Sequence, residues 1–319
     1  MKRLLCVLSG MNVGGAETFL MKIFRSLDRE KYSLDFCVNV QDNFYASEIE
    51  KLGGKIYVIP PKSQNLKGFR KGLYDVVANG KYEYVLRVTS SAMGFMDLKI
   101  AKKAGARVCA ARSSNSGDGK GLKAKVAHIA GRLLYGRYVD VKLAPSDLAA
   151  KHTFGKRAYK NGEVAIVRNG VDTSVYAYDA QARKKIRAEF GVSDDAFVVG
   201  HIGRFSAQKN HEFLLDIFKE VKNIRPDAVL MLVGKGELEK SVREKAERAG
   251  VGDSVIFTGV RSDVPSLLSA FDAFAFPSFY EGMPNTVIEA QATGLKCVIS
   301  DAITREADIT GLVAYKSLG

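Results

Sequence analysis

Cysteine and histidine are scarce in this chain of 319 residues, with four of each. Cys6, Cys37, Cys109 and Cys297 each lie in an apolar run, with no C-x-x-C pair and no metal-like spacing. This excludes a disulfide framework and a zinc module, and it reads as reduced, buried thiols of a cytosolic protein. His128, His152, His201 and His211 are also not at metal-ligand spacing, and they read as satisfied structural side chains. There is no Ser-His-Asp order and no G-x-S-x-G elbow, which argues against acyl transfer. No G-x-G-x-x-G occurs, so a dinucleotide fingerprint is unsupported. No apolar run reaches the roughly 20 residues of a membrane span. The opening Met1-Lys2-Arg3 is followed by too short an apolar run for a signal peptide, and Asn12 and Glu17 come at once, so a first strand is expected. Zinc-finger spacing and an aromatic single-strand platform are both missing, which leaves no nucleic-acid motif.

Acidic residues are scarce in one half only. Residues 1–176 carry 30 Lys plus Arg against 15 Asp plus Glu, a net of +15, whereas residues 177–319 carry 18 against 20, a net of −2. The asymmetry points to an anionic partner for the first half, an anionic lipid surface, a pyrophosphate-bearing acceptor or, on charge alone, nucleic acid, or else to solubility alone.

Length and apolar content fit two domains with full cores. Short apolar runs alternate with amphipathic stretches throughout, which predicts two parallel α/β sheets with helices on both faces. The expected boundary lies near Ala177, giving domains over residues 1–176 and 177–319. Residues 107–111 are expected as a strand, followed by the longest polar run, which begins at Arg112 and includes Asn115. Residues 122–135 are expected to form a basic amphipathic helix with Lys123, Lys125 and Arg132. Such a helix suits either an anionic membrane or a solvated charged face.

The stretch with most chemical content is Pro277-Ser278-Phe279-Tyr280-Glu281-Gly282-Met283-Pro284-Asn285-Thr286-Val287-Ile288-Glu289. It reads as strand end, loop and helix, with Pro284 in the first helical turn. Glu281 falls on the loop and Glu289 about one turn into the helix, where backbone N–H groups favour anions. The bland alternative is a capping acid and a solvated Glu. Gly203-Arg204 ends the first strand of the second domain, and Lys209 precedes the next helix. Two cations on one strand-to-helix loop suit a diphosphate. The early Gly14-Gly15 loop can seat an anion or serve as a tight turn.

Together these stretches resemble the retaining glycosyltransferases of family four, whose signature is Glu-x7-Glu and whose architecture is GT-B. The resemblance extends to the Asn169-Gly170-Val171-Asp172 turn and to Gly234-Lys235-Gly236, and it covers nearly the whole chain. The opening Gly10-Met11-Asn12-Val13-Gly14-Gly15-Ala16-Glu17-Thr18 is similar to transferases of capsular and exopolysaccharide synthesis. It implies two Rossmann-like domains facing across a cleft, the first binding acceptor and the second the nucleotide sugar. It also implies transfer of a hexose from a nucleotide diphosphate sugar, UDP-hexose by expectation, to a glycan or lipid-linked acceptor, with retention and without a metal or other cofactor. Arg204 and Lys209 would act on the leaving diphosphate, and Glu281 on the sugar hydroxyls. Gly14, Gly15, Gly203, Val260, Gly282, Met283, Pro284, Asn285, Thr286 and Glu289 would line the donor, with Glu289 on the ribose. Arg112 and Asn115 would face the acceptor. Relatives often carry His at the positions of Arg112 and Ser114, and this chain has neither. The implied location is cytoplasmic, peripheral on the inner membrane face, with no nucleic-acid partner. Relatives also continue beyond Ser300-Asp301, so a truncated second domain is expected. The alternatives are a sugar-nucleotide epimerase of the same fold and a non-catalytic partner subunit.

Overall fold

The computed structural model describes residues 1–12, 14–114 and 121–318. Its contacts divide the chain into two units, Met1–Asn169 and Gly170–Gly319. The division falls ahead of Ala177 because Val171 and Tyr176 pack against the second unit's core.

The first unit runs β1 (Lys2–Val7), α1 (Gly15–Ser26), β2 (Tyr32–Val38), α2 (Ala46–Lys51), β3 (Ile56–Val58), α3 (Leu66–Gly80), β4 (Tyr84–Thr89), α4 (Phe95–Lys103), β5 (Val108–Ser113), α5 (Leu122–Tyr135), β6 (Val141–Ala144), α6 (Asp147–Phe154), α7 (Lys156–Lys160) and β7 (Val164–Ile166). Among the described residues its sheet has seven strands, in the order β3-β2-β1-β4-β5-β6-β7. Every pairing is parallel. Both faces are covered, as a parallel sheet requires. Successive side chains of β1 serve opposite cores: Leu5 and Val7 pack with Phe69, Leu73 and Phe95, whereas Cys6 and Leu8 pack with Phe19, Leu20 and Phe24. All four cysteines are free and buried.

The second unit runs α8 (Ala180–Glu189), β8 (Val198–Ile202), α9 (His211–Ile224), β9 (Val229–Val233), α10 (Glu239–Arg248), β10 (Val255–Gly259), α11 (Val264–Ala270), β11 (Ala273–Phe276), α12 (Asn285–Ala292), β12 (Lys296–Ser300) and β13 (Val313–Lys316). Among the described residues its six strands lie in the order β10-β9-β8-β11-β12-β13. Numbered within the unit, that order is 3-2-1-4-5-6, the doubly wound arrangement. Pro284 caps α12 from outside instead of starting it. Helix α8 carries little apolar periodicity and is fixed by Ile186 in the core and by two arginines. Arg183 donates to the Ser269, Ala270 and Phe271 carbonyls and to Asp272 Oδ1 at 2.7 Å. Beside it lies the fully buried Arg187. Its guanidinium donates to the Ala270, Ser193, Asp194 and Ala196 carbonyls and to Asp272 Oδ2 at 2.7 Å. Asp272 Oδ2 also accepts the Val198 N–H at 2.7 Å, so two ion pairs through Asp272 tie α8 to the starts of β8 and β11.

Removing the Arg187 guanidinium leaves Asp272 with Arg183 and the Val198 N–H alone, and strips a donor from the Ala270, Ser193, Asp194 and Ala196 carbonyls. Arg187→Met is therefore expected to destabilise the second unit by roughly 3 kcal/mol, read as a lowered urea midpoint. An unchanged midpoint contradicts the anchoring role.

Candidate active site

Strands β8 and β11 lie side by side, with Val199 beside Ala273 and Gly200 beside Phe274. From β8 the chain crosses through α9 to β9 on one side, and it later returns to β11 on the other. The two carboxyl ends therefore open a crevice at the point where strand order reverses, the place where open α/β sheets take ligands. The loop after β8 supplies Gly203, Arg204 and Lys209. The loop after β11 supplies Glu281, Gly282 and Met283 and leads directly into Asn285, Thr286 and Glu289 on α12.

Hydrogen bonds join the two loops. Lys209 Nζ donates to Glu281 Oε1 at 2.7 Å. The Gln208 side-chain amide donates to the Tyr280 carbonyl at 2.8 Å, and the Phe279 N–H donates to the Gln208 carbonyl at 2.9 Å. Lys209 and Glu281 are mostly buried, at 17% and 11% side-chain exposure, so water screens their attraction little. Lys209 Nζ also lies 4.4 Å from the Phe276 ring centroid. Arg204 differs. Its side chain is 71% exposed and pairs at 3.0 Å with the exposed Glu237, a contact worth at most about 1 kcal/mol. The guanidinium is thus readily available to an anion. Glu289 is buried on α12 between Ile288 and Ala290. Val260 is partly exposed at the end of β10, just past Gly259, whose N-terminal neighbour strand is reached through the Gly234 N–H bond to the Gly259 carbonyl at 2.9 Å.

Gly234 and Gly236 are required by close backbone approach. A methyl group at Gly234 would stand 2.2 Å from the Gly203 carbonyl oxygen, and one at Gly236 2.2 Å from that of Phe205. The turn therefore supports the Gly203–Arg204 backbone.

Beneath Lys209 lies a pair of histidines that their sequence spacing does not reveal. The His201 and His211 rings are 4.7 Å apart, edge to face. His211 stacks on Phe205 at 4.2 Å, and His201 on Phe276 at 5.5 Å. His201 Nδ1 lies 2.8 Å from the Ala275 carbonyl, which can only accept, so Nδ1 carries the proton. His201 Nε2 and both His211 nitrogens have no hydrogen-bond partner. This corrects the expectation of satisfied histidines. The available sequence signal was a lone His inside β8, whose five residues are all buried. The expectation does hold for His128, where Nδ1 accepts the Ala92 N–H at 3.4 Å and Nε2 faces the His152 carbonyl at 2.9 Å.

In the first unit, Gly14 and Gly15 form the start of α1 at the carboxyl end of β1, beside β4, where that sheet's order also reverses. Strand β5 runs two residues past its expected end, so Arg112 is inside it and only 2% exposed. Its guanidinium lies 3.6 Å over the Phe19 ring, and Nη2 donates to Asn169 Oδ1 at 2.7 Å. Burial pulls this guanidinium down to about 10, and it stays charged at neutral pH. Asn115, the other expected acceptor residue, lies outside the described residues. Among the described residues, no cluster of His, Cys, Asp or Glu is arranged to hold a metal, and no helix is long and apolar enough to cross a membrane.

Both sheets, each with its order-reversal crevice, match solved GT-B glycosyltransferases. The structure of HepE from Anabaena in complex with UDP and glucose superposes with a TM-score of 0.81 at 20% identity, covering 99% of this chain and 86% of that one. Residues 196–317 match the family described as glycosyl transferases group 1. The putative glycosyltransferase EpsF of Bacillus subtilis (strain 168) is 34% identical over 323 residues, covering 99% of this chain and 84% of its own. An Escherichia coli relative, UDP-Gal:alpha-D-GlcNAc-diphosphoundecaprenol alpha-1,3-galactosyltransferase, is 32% identical over 142 residues, 44% of this chain and 37% of its own. The chain belongs to the group 1 glycosyltransferases.

The histidine pair generates a pH dependence. Burial, then the neighbouring His211, holds His201 well below its ordinary 6.5, and burial, then Lys209, brings His211 to about 4. Between about pH 4 and 6.5 the unfolded chain binds the more protons, so stability is whole above that window and falls as pH drops through it. For one group with the His211 shift the loss is on the order of 3 kcal/mol. His211→Phe, which retains the stack on Phe205, is expected to flatten the fall in urea midpoint. The same pH slope in wild type and variant contradicts the assignment.

Proposed function

We propose that the chain transfers a hexose from a UDP-sugar, with retention and without a metal, to a hydroxyl of a glycan or lipid-linked acceptor in surface polysaccharide biosynthesis. The observation that carries this reading is the Lys209–Glu281 contact across the second unit's crevice, with Arg204 beside it. A cation and a carboxylate are held where a diphosphate and a sugar would lie next to each other. UDP as donor is supported by the UDP and glucose bound to HepE and by the UDP-Gal of the E. coli relative. That relative's diphosphoundecaprenol-linked acceptor supports a lipid-borne acceptor here. The +15 of residues 1–176 fits a peripheral position on an anionic inner leaflet.

In the reaction, the bond from the anomeric carbon to the β-phosphate oxygen breaks. The acceptor oxygen bonds to that carbon from the same face, and its proton passes to the departing phosphate. The residues contribute positioning and electrostatics. Arg204 and Lys209 stabilise the leaving diphosphate, Glu281 holds sugar hydroxyls beside Gly282 and Met283, and Glu289 holds the ribose. Gly14 and Gly15 are assigned to the donor as well, and Arg112, bonded to Asn169, to the acceptor.

Arg204→Ala and Lys209→Ala are each expected to keep the fold and lower turnover about a hundredfold, near 3 kcal/mol. Unchanged kinetics in both variants overturn the diphosphate assignment. Calorimetry separates the carboxylates: Glu289→Ala is expected to weaken UDP itself, whereas Glu281→Ala spares UDP and weakens UDP-glucose. Equal loss of UDP in both contradicts the division. Donor turnover to an epimerised sugar without acceptor would favour the epimerase, and absence of any turnover with intact UDP binding the non-catalytic subunit.

A further inference from the structure

The first unit carries a group of charges that the proposed reaction leaves unused. Asp97, in the first turn of α4, is buried. Lys62 Nζ, on the loop after β3, lies 2.5 Å from its Oδ1, and Arg87 Nε, on β4, 2.8 Å from its Oδ2. Neither contact is aligned as a hydrogen bond. Arg87 is fixed instead through Nη1, which donates to the Val7 and Val88 carbonyls at 2.8 Å each. Its Nη2 bonds to nothing among the described residues, and with the side chain 14% exposed it is left for an acceptor arriving from solvent. Lys62 Nζ rests 4.7 Å from the Phe69 ring centroid, and its side chain is 29% exposed. Two cations therefore share one carboxylate, and the group keeps a charge of +1. An unmatched cation held largely away from water is costly. Burial first, and then Arg87, hold the Lys62 ammonium below its ordinary range, with Asp97 opposing.

The place of the group in the fold is that of a ligand site. Arg87 pairs with Val7, the last residue of β1, where the order of the first sheet reverses. The loop after β3, the end of β4 and the start of α4 all stand at the carboxyl edge, where open α/β sheets take ligands. Strand alternation puts Arg87 on the same face as Val7 and Val85, towards α3 and α4. Arg112, over Phe19, is on the opposite face, towards α1. We propose that Lys62 and Arg87 form an oxyanion seat for a phosphate group. Both Asp97 oxygens are occupied in holding the two cations. The guanidinium edge and the ammonium then offer a planar donor and a point charge to the phosphate oxygens. Giving that phosphate to a diphosphate-linked acceptor rests on the proposed transfer reaction, whereas the seat itself does not. Free phosphate or pyrophosphate is the other source of the same chemistry. A triad that only tied α4 to the loop after β3 would need no ligand.

The test is calorimetric titration of the full chain with inorganic pyrophosphate and with geranyl diphosphate, and urea midpoints are measured on the same variants. Wild type is expected to take two pyrophosphates per chain, one in each unit. Lys62→Gln is expected to weaken one of them about tenfold or more, and Lys62→Arg to restore it. Lys62→Met, which keeps the contact with Phe69 but not the charge, is expected to show the same loss as Lys62→Gln. Arg204→Ala/Lys209→Ala is expected to remove the other pyrophosphate. At the Lys62 site, tighter binding of geranyl diphosphate than of pyrophosphate gives the seat to a lipid-linked acceptor, and equal binding gives it to a free oxyanion; both support the seat. Pyrophosphate binding that is as in wild type in Lys62→Gln and Lys62→Met overturns the proposal, and a lowered urea midpoint in those variants then leaves only the structural tie. Loss of all pyrophosphate binding in Arg204→Ala/Lys209→Ala overturns it as well. If that double variant loses none while Lys62→Gln does, the donor-site reading fails and the seat stands.

Discussion

The contact between Lys209 and Glu281 depends on strand order. The two residues are 72 positions apart in sequence, and they meet at 2.7 Å because β8 and β11 are neighbours while the segments between them are wound to one side. Any other order would place the two loops on different parts of the sheet edge. Much of the second unit can be read as support for this meeting. Arg187 and Asp272 fix the opposite ends of the same two strands. Gly234 and Gly236 let the turn after β9 press against the backbone of Gly203 and Phe205. Gln208 holds the β11 loop through both its amide and its carbonyl. The histidine pair and Phe276 form an uncharged floor beneath the Lys209 stem.

The uncharged floor has an electrostatic consequence. A neutral, buried surface beneath an ammonium raises the strength of every interaction that ammonium makes. Protonated imidazoles there would repel Lys209, and burial keeps them neutral across the ordinary range. Arg204, by contrast, is held only by an exposed contact with Glu237. The crevice thus combines one mostly buried cation with one exposed cation; in the proposed reaction both would face the leaving diphosphate.

Much of this was legible in the sequence because it rests on local signals. Alternating apolar runs gave the two sheets, and Gly203, Arg204, Lys209, Glu281 and Glu289 stood at strand-to-helix loops. Three features were not legible, each for a physical reason. Helix α8 was missed because its anchors are mainly two arginines, Arg183 and Arg187, and charges in an otherwise polar stretch carry no periodic signal. Arg112 was expected on a loop, but β5 continues through it because Ser113 is itself buried, its hydroxyl bonded to Thr153 at 2.6 Å. Which face of α5 turns inward was not legible because it is set by tertiary contacts: His128 bonds to Ala92 and the His152 carbonyl, and Gly131 lies against the Ala92–Met93 backbone.

The central claim is that Lys209 and Glu281 act as one unit on the donor. A double-mutant cycle in kcat/KM for UDP-sugar, using Lys209→Met, Glu281→Gln and their combination, tests it most directly. The account expects strong non-additivity, with the double variant no slower than the worse single variant, as for groups sharing one interaction. Losses that multiply fully in the double variant, as they do for distant and independent sites, would contradict it.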